Sequence, residues 1–248
     1  MKRNNKRIMI WLTAIAVVLA LAVGGCVWYV SDYYRADLDG IEAFAADCDV
    51  TKTVLGDGRI AYGEADAAAG FIFYPGGKVE YTAYEPLMLA LASRGVLCIV
   101  IEMPCNLAVL DVNAADGICE GYPAVSRWYM GGHSLGGSMA ASYVAKHSEA
   151  FAGIVLLGAY STADLSETPL DVLSIFGSED GVMNRTKYVE CREYLPSDFT
   201  EIEIKGGCHA YFGMYGEQNG DGTPSISAEE QIRMTAGYIA DFVGNGVE

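Results

Sequence analysis

One hydroxyl in this chain has surroundings that suit a nucleophile. Ser134 is the centre of Gly132-His133-Ser134-Leu135-Gly136, with the apolar run Trp128-Tyr129-Met130 ahead of it and the small residues Gly137, Ser138, Ala140 and Ala141 behind. A serine hydroxyl attacks a carbonyl only when it is exposed, has a base within reach and has donors for the developing oxyanion. Glycines on both sides permit the sharp strand-to-helix turn that exposes it. The chain has 3 histidines, so the base can be sought by elimination. His133 adjoins the serine, and its side chain is expected to point away from that of Ser134. His147 ends a helical stretch beside Ser148 and Glu149, a solvated position that the helix dipole favours. His209 follows a strand-like run and Gly206-Gly207, on a loop able to carry an imidazole over the carboxyl edge of a sheet. An imidazole there takes and returns a proton near neutrality. Backbone donors for an oxyanion are expected at Leu135, where a helix begins, and at Gly77, in the loop after Tyr74. Tyr74, Lys78 and Tyr81 around that loop are expected to line a substrate pocket.

Apolar patterning shows which elements must position these groups. Residues 51–55 and 60–63, on either side of the turn signal Gly56-Asp57-Gly58, read as one or two edge strands. Buried strands are predicted over 70–74, 96–103, 127–131, 153–157, 172–176 and 199–204, because each is a short apolar run bounded by turn residues. Helices are predicted over 84–93, 135–147, 183–195 and 228–243, the last capped by Ser227 with Glu230. Strands and helices in alternation imply a mostly parallel sheet covered by helices on both faces.

The stretch around Ser134 resembles the nucleophile elbow of the α/β-hydrolase superfamily. Tyr74-Pro75-Gly76-Gly77, Gly177-Ser178-Glu179-Asp180-Gly181 and Gly206-Gly207-Cys208-His209-Ala210 resemble the other landmarks of that family, in the family's order. The likeness is to the alpha/beta hydrolase fold-5 group, relatives of dienelactone hydrolases and small carboxylesterases, and covers about residues 70–243. It implies an α/β-hydrolase fold and a Ser134–Asp180–His209 triad in which Asp180, after the strand at 172–176, orients the imidazole. Glu179 beside it and Asp164 after the preceding strand are its rivals. The short stretch between Leu157 and Leu170 implies that no large cap domain is present. The activity implied is hydrolysis of carboxylic esters with small acyl groups through an acyl-serine, with no metal or organic cofactor. Thioesterase, lactonase, peptidase and acyltransferase activities use the same triad. Ser134 stands where dienelactone hydrolases carry a cysteine, which argues against that activity. The alternative of another class is a non-catalytic binding module on a hydrolase scaffold. Such modules usually lose the serine or the histidine, and both are present here.

The N-terminus is of a different kind. Residues 8–30 carry no charge, and at ~1.5 Å per residue they span roughly 34 Å as a helix, enough to cross a bilayer. Lys2, Arg3, Lys6 and Arg7 precede the run, and Asp32, Asp37 and Asp39 follow it. The positive-inside rule then puts the stub at 1–7 in the cytoplasm and everything after the helix outside. Val23-Gly24-Gly25-Cys26 loosely resembles a lipoprotein signal and Ala20-Leu21-Ala22 a cleavage site, but apolar residues continue through Val30. The length favours an uncleaved single-pass anchor, then a linker over 31–50 and a catalytic domain over 51–248. Hydrophobic residues make up 52 % of the chain, much of it in this segment.

Net charge is −16 overall, and −20 once the 4 basic residues ahead of the apolar run are set aside. Such a surface repels phosphate backbones, which excludes nucleic acid as a partner. The 7 cysteines show no C-x-x-C pair, so zinc is not indicated. Glu217 to Asp221 has some calcium-loop character but lacks the acidic residue at its twelfth position, Ala228. It reads instead as a polar loop beside His209.

Overall fold

The computed structural model describes residues 2–244 and divides into two compact units between Tyr33 and Tyr34. Met1 of the expected stub and residues 245–248 of the expected domain lie outside the described residues. The first unit is one helix, α1 (Lys2–Ser31). Its segment Met9–Ser31, 23 residues with mean hydropathy 2.5, is long and apolar enough to cross a membrane.

The second unit is built on an eight-stranded sheet. Its strands are β1 (Lys52–Leu55), β2 (Arg59–Tyr62), β3 (Ala69–Tyr74), β4 (Val96–Ile101), β5 (Arg127–His133), β6 (Gly153–Leu157), β7 (Asp171–Gly177) and β8 (Thr200–Ile204). Their order is β1-β2-β4-β3-β5-β6-β7-β8, antiparallel across β1-β2-β4 and parallel from β4 onward. Of the first two strands only β1 is an edge, since β2 pairs with β1 on one side and with β4 along Arg59–Tyr62 on the other.

Period-two alternation divides the sheet between two cores. Phe71, Phe73, Cys98, Val100, Tyr129, Val155 and Ile175 pack under α2 (Leu38–Ala45), α3 (Glu85–Ala92) and α7 (Ala228–Gly244). Ile72, Tyr74, Ile99, Met130, Ile154 and Leu156 pack on the other face against α4 (Ile118–Gly121) and α5 (Leu135–Val144). Each buried side chain of this size contributes about 1.5–3 kcal/mol relative to exposure. A further helix, α6 (Arg185–Glu190), continues into a 3₁₀ turn at Cys191–Tyr194, so the single helix expected over 183–195 is shorter and broken. The connection from β6 to β7 carries no helix or strand, and no cap domain is inserted there.

The expected linker over 31–50 is only partly one. Asp37 caps α2 by accepting from Gly40 N–H at 3.2 Å, and the helix buries Ile41 and Phe44 in the core. Tyr34 pairs as a parallel bridge with Val79: Tyr34 N–H donates to Lys78 O at 2.7 Å, and Glu80 N–H to Tyr34 O at 2.9 Å. The compact unit thus begins ahead of the first strand.

Candidate active site

Ser134 stands at the carboxyl end of β5, with φ 53° and ψ −121°. A non-glycine residue there is strained, and such strain persists only where the surroundings over-determine it. Two bonds do so: Ser134 N–H donates to Leu157 O at 2.9 Å, and Ser138 N–H donates to Ser134 O at 3.2 Å. Gly136 permits the turn to sit under the loop after β3, since a Cβ on it would lie 2.2 Å from Pro75 O and 2.3 Å from Tyr74 O. That contact sets Gly77 against Leu135. Both N–H groups are without a hydrogen-bond partner among the described residues, and Leu135 opens the first turn of α5.

Asp180 and His209 come from the loops after β7 and β8 and meet below the same rim. His209 Nδ1 lies 2.8 Å from Asp180 Oδ2, with side chains 1 % and 0 % exposed. The other carboxylate oxygen accepts from Val182 N–H at 3.0 Å and Met183 N–H at 2.8 Å. These bonds fix the carboxylate's orientation, so Oδ2 is the oxygen presented to the imidazole. His209 Nε2 is buried and has no partner among the described residues, and no hydrogen bond joins it to Ser134. Bonds of this kind are often open without substrate and close in the complex. Gly158, at φ +50°, closes the space between them, since a Cβ there would lie 2.9 Å from His209 Nδ1 and 3.2 Å from Asp180 Oδ2. The rivals are elsewhere: Glu179 is exposed and accepts from Ser178 Oγ, and exposed Asp164 accepts from Ser166.

His133 packs beneath the site, against Tyr84, His209 and Phe212. Its ring is buried, with its centroid 4.5 Å from that of His209 and 5.6 Å from that of Phe212. Gly76 N–H donates to Tyr84 Oη at 3.0 Å, and Tyr84 Oη lies 2.7 Å from His133 Nδ1. The hydroxyl thus joins the loop after β3 to the His133 ring. Burial, then the neighbouring His209, hold the His133 imidazole well below its usual range, opposed by a contact to the His209 backbone. The unfolded chain therefore binds a proton more readily than the fold does. Stability is full above ~pH 6.5 and falls as the pH drops below that value, by up to about 1.4 kcal/mol per pH unit from this group. Urea titrations at pH 7.5, 6.5 and 5.5 should show a shallower acid loss for His133→Gln than for wild type. Equal slopes would show that His133 is not held neutral. His147 is exposed and stacks on Tyr143, with ring centroids 4.4 Å apart.

The expected pocket residues need correction. Tyr74 is buried on the α5 face, where its hydroxyl donates to Val112 O at 2.8 Å and accepts from Ala115 N–H at 3.0 Å. Strand alternation sends its ring to the same side as Ile72, away from the rim. Lys78, at φ 60°, is half-buried and gives its backbone to Asn106 and Tyr34. Tyr81 packs against the core, partly buried. None of the three borders the cavity at the serine. That cavity, of about 260 Å³, is lined by Ser134, Leu135, Ser138, Gly158 and Ala159, with Tyr160, Val182, Met183 and Asn184 closing it. It lies on the β6–β7 side of Ser134, and no charged side chain borders it.

Two positioning contacts went unseen in the sequence. Buried Gln231 on α7 clamps the peptide before the histidine: its Oε1 accepts from Cys208 N–H at 2.9 Å and its Nε2 donates to Cys208 O at 2.8 Å. Only its place on a buried helix face could have signalled it. The second contact is made by the carboxylate of Asp221, which accepts from His209 N–H at 3.1 Å. The cysteines are all free, and burial pushes the Cys208 thiol up to about 12. Among the described residues no cluster of three or more metal-ligating side chains occurs.

A family model described as the alpha/beta hydrolase family matches residues 70–233. No curated protein matches the chain. Of the solved structures, 943 chains match. One of these, a predicted CIB-like hydrolase from Thermoplasma acidophilum, superposes with a TM-score of 0.56 over 78 % of this chain and 99 % of its own, at 14 % identity. That similarity speaks for the fold. With a match over more than half its length, on a sheet whose carboxyl rim carries Ser134, Asp180 and His209 in that order, this chain belongs to the alpha/beta hydrolase family.

Proposed function

We propose that the chain is a serine hydrolase of carboxylic esters with small acyl groups, held at a membrane by α1 with its second unit outside the cytoplasm. The observation that carries the reading is the buried Asp180–His209 pair whose outer nitrogen has no partner, on the same rim as a strained Ser134. Ser134 Oγ attacks the ester carbonyl carbon while His209 Nε2 takes its proton. The N–H groups of Leu135 and Gly77 receive the oxyanion, and one such donor is worth about 10²–10³ in kcat. Collapse expels the alcohol, which takes the proton back from the imidazolium. Water then repeats the sequence on the acyl-serine, releasing the acid and restoring the hydroxyl. Asp180 stays ionised and holds the proton on Nδ1, so that Nε2 can accept. These steps use no metal or organic cofactor.

The uncharged cavity of about 260 Å³ favours a small neutral acyl group, since it falls below the roughly 300–1,000 Å³ of sites for larger ligands. The basic residues ahead of the apolar run and the aspartates behind it support the orientation. A membrane-impermeant fluorophosphonate added to intact cells tests activity and topology together. The wild-type chain is labelled and recovered with membranes, and Ser134→Ala is unlabelled. Labelling that survives Ser134→Ala ends the enzymatic reading. Labelling that appears only after lysis ends the topology alone.

A further inference from the structure

Asp221 lies in a glycine-rich loop that neither the triad nor the cavity at Ser134 accounts for. Its carboxylate is half-buried and accepts from four backbone N–H groups. Oδ1 takes His209 N–H at 3.1 Å, Gly181 N–H at 3.1 Å and Gly222 N–H at 2.9 Å. Oδ2 takes Ala210 N–H at 2.8 Å. Two of these donors belong to the loop that carries the imidazole, and a third belongs to the residue directly after Asp180. One side chain thus joins the loops after β7 and β8 at the point where their functional groups meet.

The fit depends on absent side chains. A Cβ on Gly181 would lie 2.5 Å from Gly220 O, and one on Gly222 would lie 2.0 Å from Glu179 O. The 220–222 backbone therefore lies flat against 179–181, close enough for a single carboxylate to span both loops. The far side of the loop is held too: Asn219 N–H donates to Tyr34 Oη at 3.2 Å, and Tyr215 Oη donates to Gln218 Oε1 at 3.0 Å. Hydrogen bonds from backbone amides to an ionised acceptor are among the stronger ones in proteins. Burial raises the carboxyl's proton affinity, but the amides of Ala210, Gly181 and His209 outweigh it and hold the group below its usual range.

We infer that Asp221 is a positioning residue: it sets the separation of the Asp180 and His209 backbones and so keeps Nδ1 and Oδ2 within hydrogen-bond reach. A displacement of about 1 Å at such a pair costs up to ~10²-fold in rate. Asparagine cannot replace it, because its NH₂ end would face an N–H donor whichever way the amide turns.

The kinetic side of the test rests on the hydrolase reading, and the spectroscopic side does not. Asp221→Asn and Asp221→Ala are compared with wild type and Ser134→Ala, using p-nitrophenyl acetate turnover, circular dichroism and the low-field proton resonance of His209 Nδ1–H. The expected result is a folded Asp221→Asn with kcat lowered about 10- to 100-fold, KM within about twofold of wild type, and the resonance lost or broadened. Ser134→Ala keeps the resonance and has no turnover. Wild-type resonance and kcat in Asp221→Asn would overturn the inference. Loss of the fold in both Asp221 variants would overturn it equally, by making Asp221 a residue of the fold. Turnover surviving in Ser134→Ala would remove the enzymatic reading while the resonance still decided Asp221.

Discussion

Asp180→Asn is expected to lower kcat about 10⁴-fold on p-nitrophenyl esters while leaving the fold and KM nearly unchanged. The size follows from a tautomer. In the native site Oδ1 accepts from the Val182 and Met183 amides, and Oδ2 faces His209 Nδ1. An asparagine would keep its oxygen on the two amides, because turning it would set NH₂ against two N–H donors. Its NH₂ then faces Nδ1, which must accept, and the imidazole proton moves to Nε2. A base with its proton already on Nε2 cannot take one from Ser134. Steady-state kinetics beside a thermal melt would check this. Glu179→Gln and Asp164→Asn serve as controls, since both acids are exposed and bond only to nearby serines. A near-native kcat in Asp180→Asn would remove the aspartate from the mechanism.

Gly136→Ala is expected to be nearly as damaging, by a different route. The added methyl would meet the carbonyl oxygens of Tyr74 and Pro75 at 2.3 and 2.2 Å, and backbone atoms cannot swing aside as a flexible side chain can. Relief requires α5 and the loop after β3 to separate, which parts Leu135 N–H from Gly77 N–H. Overpacking of this kind costs about 1–3 kcal/mol, and loss of one oxyanion donor about 10²–10³ in kcat. Urea unfolding and turnover, measured on one preparation, should both be impaired. A variant with native midpoint and rate would show that the loop gives way freely and that the two amides do not act together.

Legibility in the sequence followed the range of the interactions. The glycines around Ser134 and the apolar runs are local signals, and they located the elbow and most strands to within a residue or two. Three histidines made the choice of His209 a short elimination, and two landmark loops in the expected order brought Asp180 with it. The pocket was misread because strand alternation says that Tyr74 and Phe73 face opposite sides without saying which side meets substrate. The surroundings of His133 were hidden for a related reason: its ring reaches Tyr84, a contact 49 residues distant. Asp221 was concealed by composition, because a loop rich in glycine and acids resembles a cation loop until its amide partners are known. Gln231 looked like any helix residue, since its partner, Cys208, is 23 residues away.

The Tyr34 bridge makes the first residues of the second unit a brace for two of its loops. Tyr34 holds the loop after β3 through Lys78 and Glu80 and the Asp221 loop through Asn219, and Ala36 N–H donates to Glu80 Oε2 at 3.1 Å. Under the proposed anchoring, proteolysis on the two sides of this brace would have unlike consequences. A cut before Tyr34 would leave both loops braced, whereas a cut beyond Ala36 would remove the contacts that Tyr34 and Ala36 make to them.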